Sequence, residues 1–236
     1  GEGAFSDASG LVQIVIGKDV ISIGDYAFDG VSTLTTVILG SLNEDYDNTD
    51  PDTMLAESSL RDIGDYAFRD CTALTSITMP DSLEHVGTYA FTGSGLWTEA
   101  TSAVYAGNWL VELKDVGQTT LRVLDGTAGV ADYACYQNST LMAAMFPASC
   151  KYIGRGAFYQ CSVLVQVALP ANLTAIEDYT FYSCTNLTLT AIPETVTRIG
   201  RSAFYKCALS SASETDENSL TIPDSVKEIG DYAFYG

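Results

Sequence analysis

The sequence predicts a curved, right-handed α/β solenoid built from 23-residue strand–turn–short-helix units, with a parallel sheet on the concave face. Three observations carry this reading. The hexamer IGDYAF stands at Ile23–Phe28, Ile63–Phe68 and Ile229–Phe234. Alignment on its last residue puts Phe5, Phe28, Phe68, Phe91, Cys135, Phe158, Phe181, Phe204 and Phe234 in one column, at separations of 23, 40, 23, 44, 23, 23, 23 and 30 residues. Within each unit the apolar spacing also changes period. A catalytic motif is needed once per active site, whereas a segment repeated at periods of about 20–50 residues is the mark of a stacked array.

The strand comes first in the unit. In LTSITMPDSLEHVGTYAF, Ile77 and Met79 alternate with Ser76 and Thr78, the period-two pattern of a strand with one buried face. Pro80, Pro147, Pro170, Pro193 and Pro223 all hold the slot that follows, where a fixed φ and a missing N–H end strand pairing. A short helix is expected next. Ile63, Ala67, Cys71 and Leu74 fall at i, i+4, i+8 and i+11, one apolar stripe, with Asp65 placed to favour the helix N-terminus. Ala131 and Glu177 occupy the hexamer's glycine slot in two units, so the bend there does not require positive φ. Such a unit cannot bury its own apolar face and must stack on copies of itself. The chain therefore reads as one solenoid over residues 1–236, with acidic insertions at 41–59 and 210–219 and a variant unit at 98–124.

The cysteines fall into the same register. Cys71, Cys161, Cys184 and Cys207 lie three residues after the Phe column, Cys135 replaces a Phe, and Cys150 replaces the Leu or Val of the turn. Core slots predict buried free thiols. A disulfide ladder is the alternative, opposed by the ~8–10 Å spacing of packed helices against a Cα limit of about 7 Å. There is no C-x-x-C pair, and His85 is the single histidine, which argues against zinc.

Eleven basic against 30 acidic residues give a net charge of -19, a field that opposes nucleic acid and anionic membrane surfaces as partners. No apolar run approaches the ~20 residues of a spanning helix. G-x-S-x-G, Walker, G-x-G-x-x-G and H-E-x-x-H motifs are all missing, so no enzyme activity is expected. Asp45, Asp47, Asp50 and Asp52 invite a calcium reading, but the glycine of a calcium loop is missing and Ala56 stands where its Glu would be. A solvated acidic loop without metal is the expectation.

Two surfaces are candidates for binding. Outward strand positions give Thr36, Ile38, Ser76, Thr78, Thr120, Arg122, Met145 and Gln166, joined by Leu189 and Ala191 if the register holds there. Directly after the Phe column, Tyr136, Tyr159, Tyr182, Tyr205 and Tyr235 form a row. Tyrosines so placed either pack along the flank or stack against sugars. Phe5, Leu11, Ile229 and Phe234 are expected to line terminal stacking faces, which suits either a piece of a longer array or end-to-end self-association.

The unit pattern LxxIxxPxSLxxIGxYAFxxCxxL resembles the BspA-like leucine-rich repeat of bacterial surface and secreted proteins, and the resemblance runs from Ala4 to Gly236. Residues 104–134 resemble a hairpin-bearing variant unit of that family, departing from it at Cys135, where Phe is expected. The resemblance implies a solenoid, secreted or cell-surface placement, no cofactor, and non-catalytic binding or adhesion to a protein or other macromolecule on a host or neighbouring cell. Its rivals are a carbohydrate-binding module using the Tyr row and a passive spacer within a larger surface protein.

Overall fold

The computed structural model describes residues 1–41, 57–114, 117–189, 191–209 and 220–236. Asp45, Asp47, Asp50, Asp52 and residues 210–219 lie outside these, and with them the calcium and acidic-loop readings. The fold is a β-solenoid of parallel sheets, and its contacts divide it into two compact units, Gly1–Glu112 and Leu113–Gly236.

In the first unit, β1 (Gln13–Ile16), β2 (Ser22–Ile23), β3 (Thr36–Leu39), β4 (Asp62–Ile63) and β5 (His85–Val86) follow in order. β1 pairs with β3 in parallel, Gln13 opposite Thr36. β2, β4 and β5 form a second parallel sheet, in which Ile23, Ile63 and Val86 are aligned. A short helix, α1 (Gly95–Glu99), then leads to β6 (Ala103–Ala106) and β7 (Trp109–Leu113), hydrogen-bonded neighbours across Gly107–Asn108. So short a connection makes them a hairpin.

The second unit holds β8 (Thr120–Arg122), β9 (Gly129–Val130), β10 (Ala143–Met145), β11 (Tyr152–Ile153), β12 (Gln166–Ala168), β13 (Ala175–Ile176), β14 (Arg198–Ile199) and β15 (Glu228–Ile229). β8, β10 and β12 pair in parallel, with Leu121, Ala144 and Val167 aligned at the 23-residue repeat. β9 pairs with β11, and β13–β14–β15 form a further parallel sheet. From Ile23 onward each hexamer thus opens on a second, two-residue strand that ends on its first residue, which period-two reading misses because two residues show no alternation.

The short helix expected after the hexamer is absent; among the described residues α1 is the only α-helix. The hexamer and the residues after it form a tight turn whose N–H groups alternate in direction. Ala27, Asp29 and Val31 donate three residues back, to the carbonyls of Gly24, Tyr26 and Phe28, at 3.1–3.2 Å. Tyr26, Phe28 and Gly30 instead donate to the next turn, to Asp65, Ala67 and Arg69, at 2.7–2.9 Å. Two residues per turn are left-handed, Tyr26 (φ 56°) and Gly30 (φ 73°) here and Tyr179 (φ 60°) and Ser183 (φ 56°) later. Left-handed residues break the i→i−4 ladder, and the N–H groups so released bind the neighbouring copy. An ordinary residue in this conformation costs about 1–2 kcal/mol, offset by cross-turn bonds worth about 0.5–1.5 kcal/mol each.

The hexamer's Asp also acts between turns and caps no helix. Asp25 Oδ1 accepts from Asp65 N at 2.9 Å, Asp65 Oδ1 from Thr88 N at 2.6 Å, Asp132 Oδ1 from Arg155 N at 2.7 Å and Asp178 Oδ1 from Arg201 N at 2.7 Å. This explains the hexamer's glycine. A Cβ on Gly87 would stand 2.6 Å from Asp65 Oδ1, so close approach, not positive φ, selects glycine there. Where Arg155 takes the Asp slot, the next turn carries Glu177 in place of glycine.

The Phe column is the spine of the core. Phe5, Phe28, Phe68 and Phe91 stack at 5.1–5.2 Å, and Phe158, Phe181, Phe204 and Phe234 at 5.3–5.4 Å. Where Cys135 replaces Phe, Phe146 turns edge-on to Phe158 at 6.1 Å and 89°. All six cysteines are free thiols, five buried and Cys207 half-buried. The expected reason for this was wrong. The turns repeat at strand spacing of about 4.8 Å, within disulfide reach. The thiols instead point at carbonyls of the neighbouring turn: Cys71 donates to Phe28 O at 3.1 Å, Cys161 to Cys135 O at 2.9 Å, and Cys184 and Cys207 to Phe158 O and Phe181 O at 3.0 Å.

Candidate functional site: a strand face and a tyrosine flank

Strand alternation decides which side chains reach solvent. On β8, β10 and β12 the middle residues Leu121, Ala144 and Val167 are buried, while Arg122, Met145, Gln166 and Ala168 are exposed and Thr120 half-exposed. Ser76 is exposed and Thr78 half-exposed beside buried Ile77 and Met79. Thr36 is half-exposed. Ile38 departs from the expectation: it is 2% exposed although its partner Val15 is 50% exposed, so it is not available on that face. Leu189 is also buried, because Gln166 pairs with Thr188 and the outward position falls one residue earlier.

A groove of about 580 Å³ runs across the face of the second unit, lined by Met145, Gln166, Ala168, Thr188, Ala191 and their neighbours, with no charged side chain in its wall. Arg122 stands beside it, with Nη1 3.2 Å from Met145 Sδ. Small outward residues shape the groove: Ala143, Ala168 and Ala191 alternate with Gln166, Met145 and Thr188 along its wall. Thr36, Ser76 and Thr78 lie in the first unit and form no part of this groove.

The second surface is the tyrosine flank, set by the hexamer turn. Tyr136, Tyr159, Tyr182, Tyr205 and Tyr235 stack at 5.6, 4.7, 4.7 and 5.0 Å, with interplanar angles of 22° or less. Their faces are therefore occupied by one another, and the row shows solvent its edges and hydroxyls. A second column stands beside it, built from the hexamer's own Tyr slot. Tyr133 is T-shaped to Tyr136 at 5.8 Å, and Tyr179 is T-shaped to Tyr182 at 5.9 Å. Tyr133, Tyr136, Tyr159, Tyr179 and Tyr182 line an open recess of about 500 Å³. Burial, with the neighbouring tyrosines adding to it at Tyr159, raises the phenol pKa of Tyr133 and Tyr159. Both stay protonated and able to donate. Arg155 and Arg201 lie over Tyr133 and Tyr179 at 5.6 and 5.4 Å and face Asp132 and Asp178 at 3.7 and 3.8 Å.

Among the described residues no group of acidic, His and Cys side chains is arranged to hold a metal ion, and no helix is long and apolar enough to cross a membrane. Burial pushes the thiols of Cys71, Cys150 and Cys207 up to about 12 and those of Cys135 and Cys184 well above their ordinary value, the reverse of what a nucleophilic cysteine needs.

Comparison with curated protein sequences returns no match. The solved structure of the pneumococcal vaccine antigen PcpA superposes with a TM-score of 0.50 at 20% identity, over 95% of this chain and 55% of that one. A leucine-rich cell surface protein of Faecalibacterium prausnitzii gives 0.47 at 22% identity, over 96% and 61%. The chain thus spans a little over half the length of these structures, and the first of them shows a shared fold. The BspA type leucine rich repeat region matches in six copies, over residues 43–103 and 213–236. The repeat and the parallel turns agree with this match, which identifies BspA type leucine rich repeats in those two segments of the chain.

Proposed function

We propose that this is a non-catalytic recognition module, secreted or displayed at a bacterial cell surface, which binds a protein partner through the strand face of the second unit. The groove across β10, β12 and the turn that follows carries the reading: neutral, lined by alanines with Met145 and Gln166, and with Arg122 beside it. An uncharged depression with a flexible thioether and one guanidinium at its edge suits an inserted apolar side chain of another protein. The repeat type supports surface or secreted placement, since arrays of this kind generally mediate protein interactions. Adhesion is the consequence if the partner sits on another cell.

Groove-filling variants test this. Ala143→Arg and Ala168→Arg place a large charge at half-exposed and exposed slots without touching the core. Binding to immobilised cell-surface protein extracts should fall about tenfold or more, with the melting temperature unchanged. Folded variants that bind as well as the parent would refute it.

A further inference from the structure

We propose that the tyrosine recess of the second unit is a binding site for the pyranose ring of a neutral glycan. The argument begins with a side chain the turn omits. In the first unit the hexamer's Tyr slot is filled in successive turns by Tyr26, Tyr66 and Tyr89, whose rings lie 5.0 and 5.8 Å apart. In the second unit the same slot alternates: Tyr133, Gly156, Tyr179, Ser202, Tyr232. The backbone does not demand this. Gly156 has φ 59°, the conformation held by Tyr133 at 52° and Tyr179 at 60°, so the backbone there would accept a tyrosine once the Tyr133 ring moved aside.

Turns repeat at about 4.8 Å, so Tyr133 and Tyr179, two turns apart, stand on either side of one rung that carries no ring. Tyr133 leans over Gly156, and a Cβ there would run into its ring. The resulting recess, about 500 Å³ and lined by tyrosines, lies within the ~300–1,000 Å³ of small-ligand sites.

The lining chemistry selects the occupant. Tyr133 and Tyr179, set T-shaped to the stacked row, add aromatic surface to the ring edges and phenol hydroxyls of Tyr136, Tyr159 and Tyr182, which match the apolar C–H face and hydroxyl rim of a sugar ring. A quaternary cation also seeks aromatic walls, but Arg155 and Arg201 already lie over Tyr133 and Tyr179 and oppose a further positive charge. An anion meets a chain of net charge -19 whose nearest cations face Asp132 and Asp178. A neutral ring remains. The site is separate from the strand-face groove and shares no lining residue with it.

Affinity electrophoresis and isothermal titration of the whole chain, against soluble oligosaccharides of neutral hexoses and N-acetylhexosamines with choline chloride as the cation probe, test this. The chain should bind at least one of the oligosaccharides and not choline. Gly156→Tyr should fill the recess and cut affinity about tenfold or more, while Ala168→Arg on the strand face leaves it unchanged. Tyr159→Phe keeps the stack, removes a hydroxyl and should weaken binding several-fold, which decides the matter even if Gly156→Tyr fails to fold. Binding of none of the oligosaccharides, preference for choline, or unchanged affinity in Tyr159→Phe or a folded Gly156→Tyr would overturn the proposal.

Discussion

In the first unit four phenylalanines stack without interruption and the tyrosines outside them, Tyr26, Tyr66 and Tyr89, fill consecutive turns. In the second, the Phe stack starts at Phe158 with Phe146 set edge-on against it, and the flank has one unbroken tyrosine column beside one filled only at alternate turns. The same turn geometry underlies both, since Tyr26, Tyr133 and Tyr179 share φ values between 52° and 60°. What differs is which slots carry large side chains. Stacking thus fixes the interior in both units, and the second unit's surface is where copies diverge enough to make a groove and a recess.

The largest break in this comparison comes from the ladder itself. Phe68 is fully buried between Phe28 and Phe91, and Phe68→Ala should cost about 3–5 kcal/mol. Phe146 is half-buried and meets one ring at its edge, so Phe146→Ala should cost about 1–2 kcal/mol. Chemical denaturation measures both, and equal costs would show that the edge-on ring is a full rung.

A smaller difference should appear at alkaline pH. The first unit holds Cys71, with its thiol raised to about 12, and the second holds Cys135, Cys150, Cys161, Cys184 and Cys207. Desolvation is the leading cause wherever a shift is resolved. The fold favours the protonated thiol, so this stability is complete below the ordinary thiol value of about 8.5. It is lost as pH rises toward 12, because the unfolded chain releases protons that the folded one holds. Hydrogen exchange along an alkaline series should loosen the second unit first. Uniform loosening would contradict the assignment.

Much of the interior was legible in the sequence because side-chain periodicity reports burial directly: the Phe column, the cysteine slots and the inward Ile77 and Met79 all follow from it. The helix was misread because Ile63, Ala67, Cys71 and Leu74 keep helical spacing while lying on a turn with left-handed residues, and spacing does not report the sign of φ. Ile38 and Leu189 look outward by alternation alone; the first is covered despite its register, and the second depends on a one-residue shift that only strand pairing reveals. The tyrosine row could be read, but not the recess, since that needs the knowledge that Gly156 shares its turn conformation with Tyr133 and Tyr179. Aligning the hexamer's fourth position would have shown the alternation, and it is the signal to look for in similar repeats.

The central claim is that each hexamer is a turn bonded to the next copy. Residue-resolved amide exchange tests it most directly. Tyr26, Phe28 and Gly30 in the first unit, and Tyr179, Phe181 and Ser183 in the second, donate across turns at 2.7–2.9 Å. Their amides should exchange as slowly as those of β10 and β12, with little helical signal in far-ultraviolet circular dichroism. Rapid exchange at these six amides, with strong helical dichroism, would contradict the account.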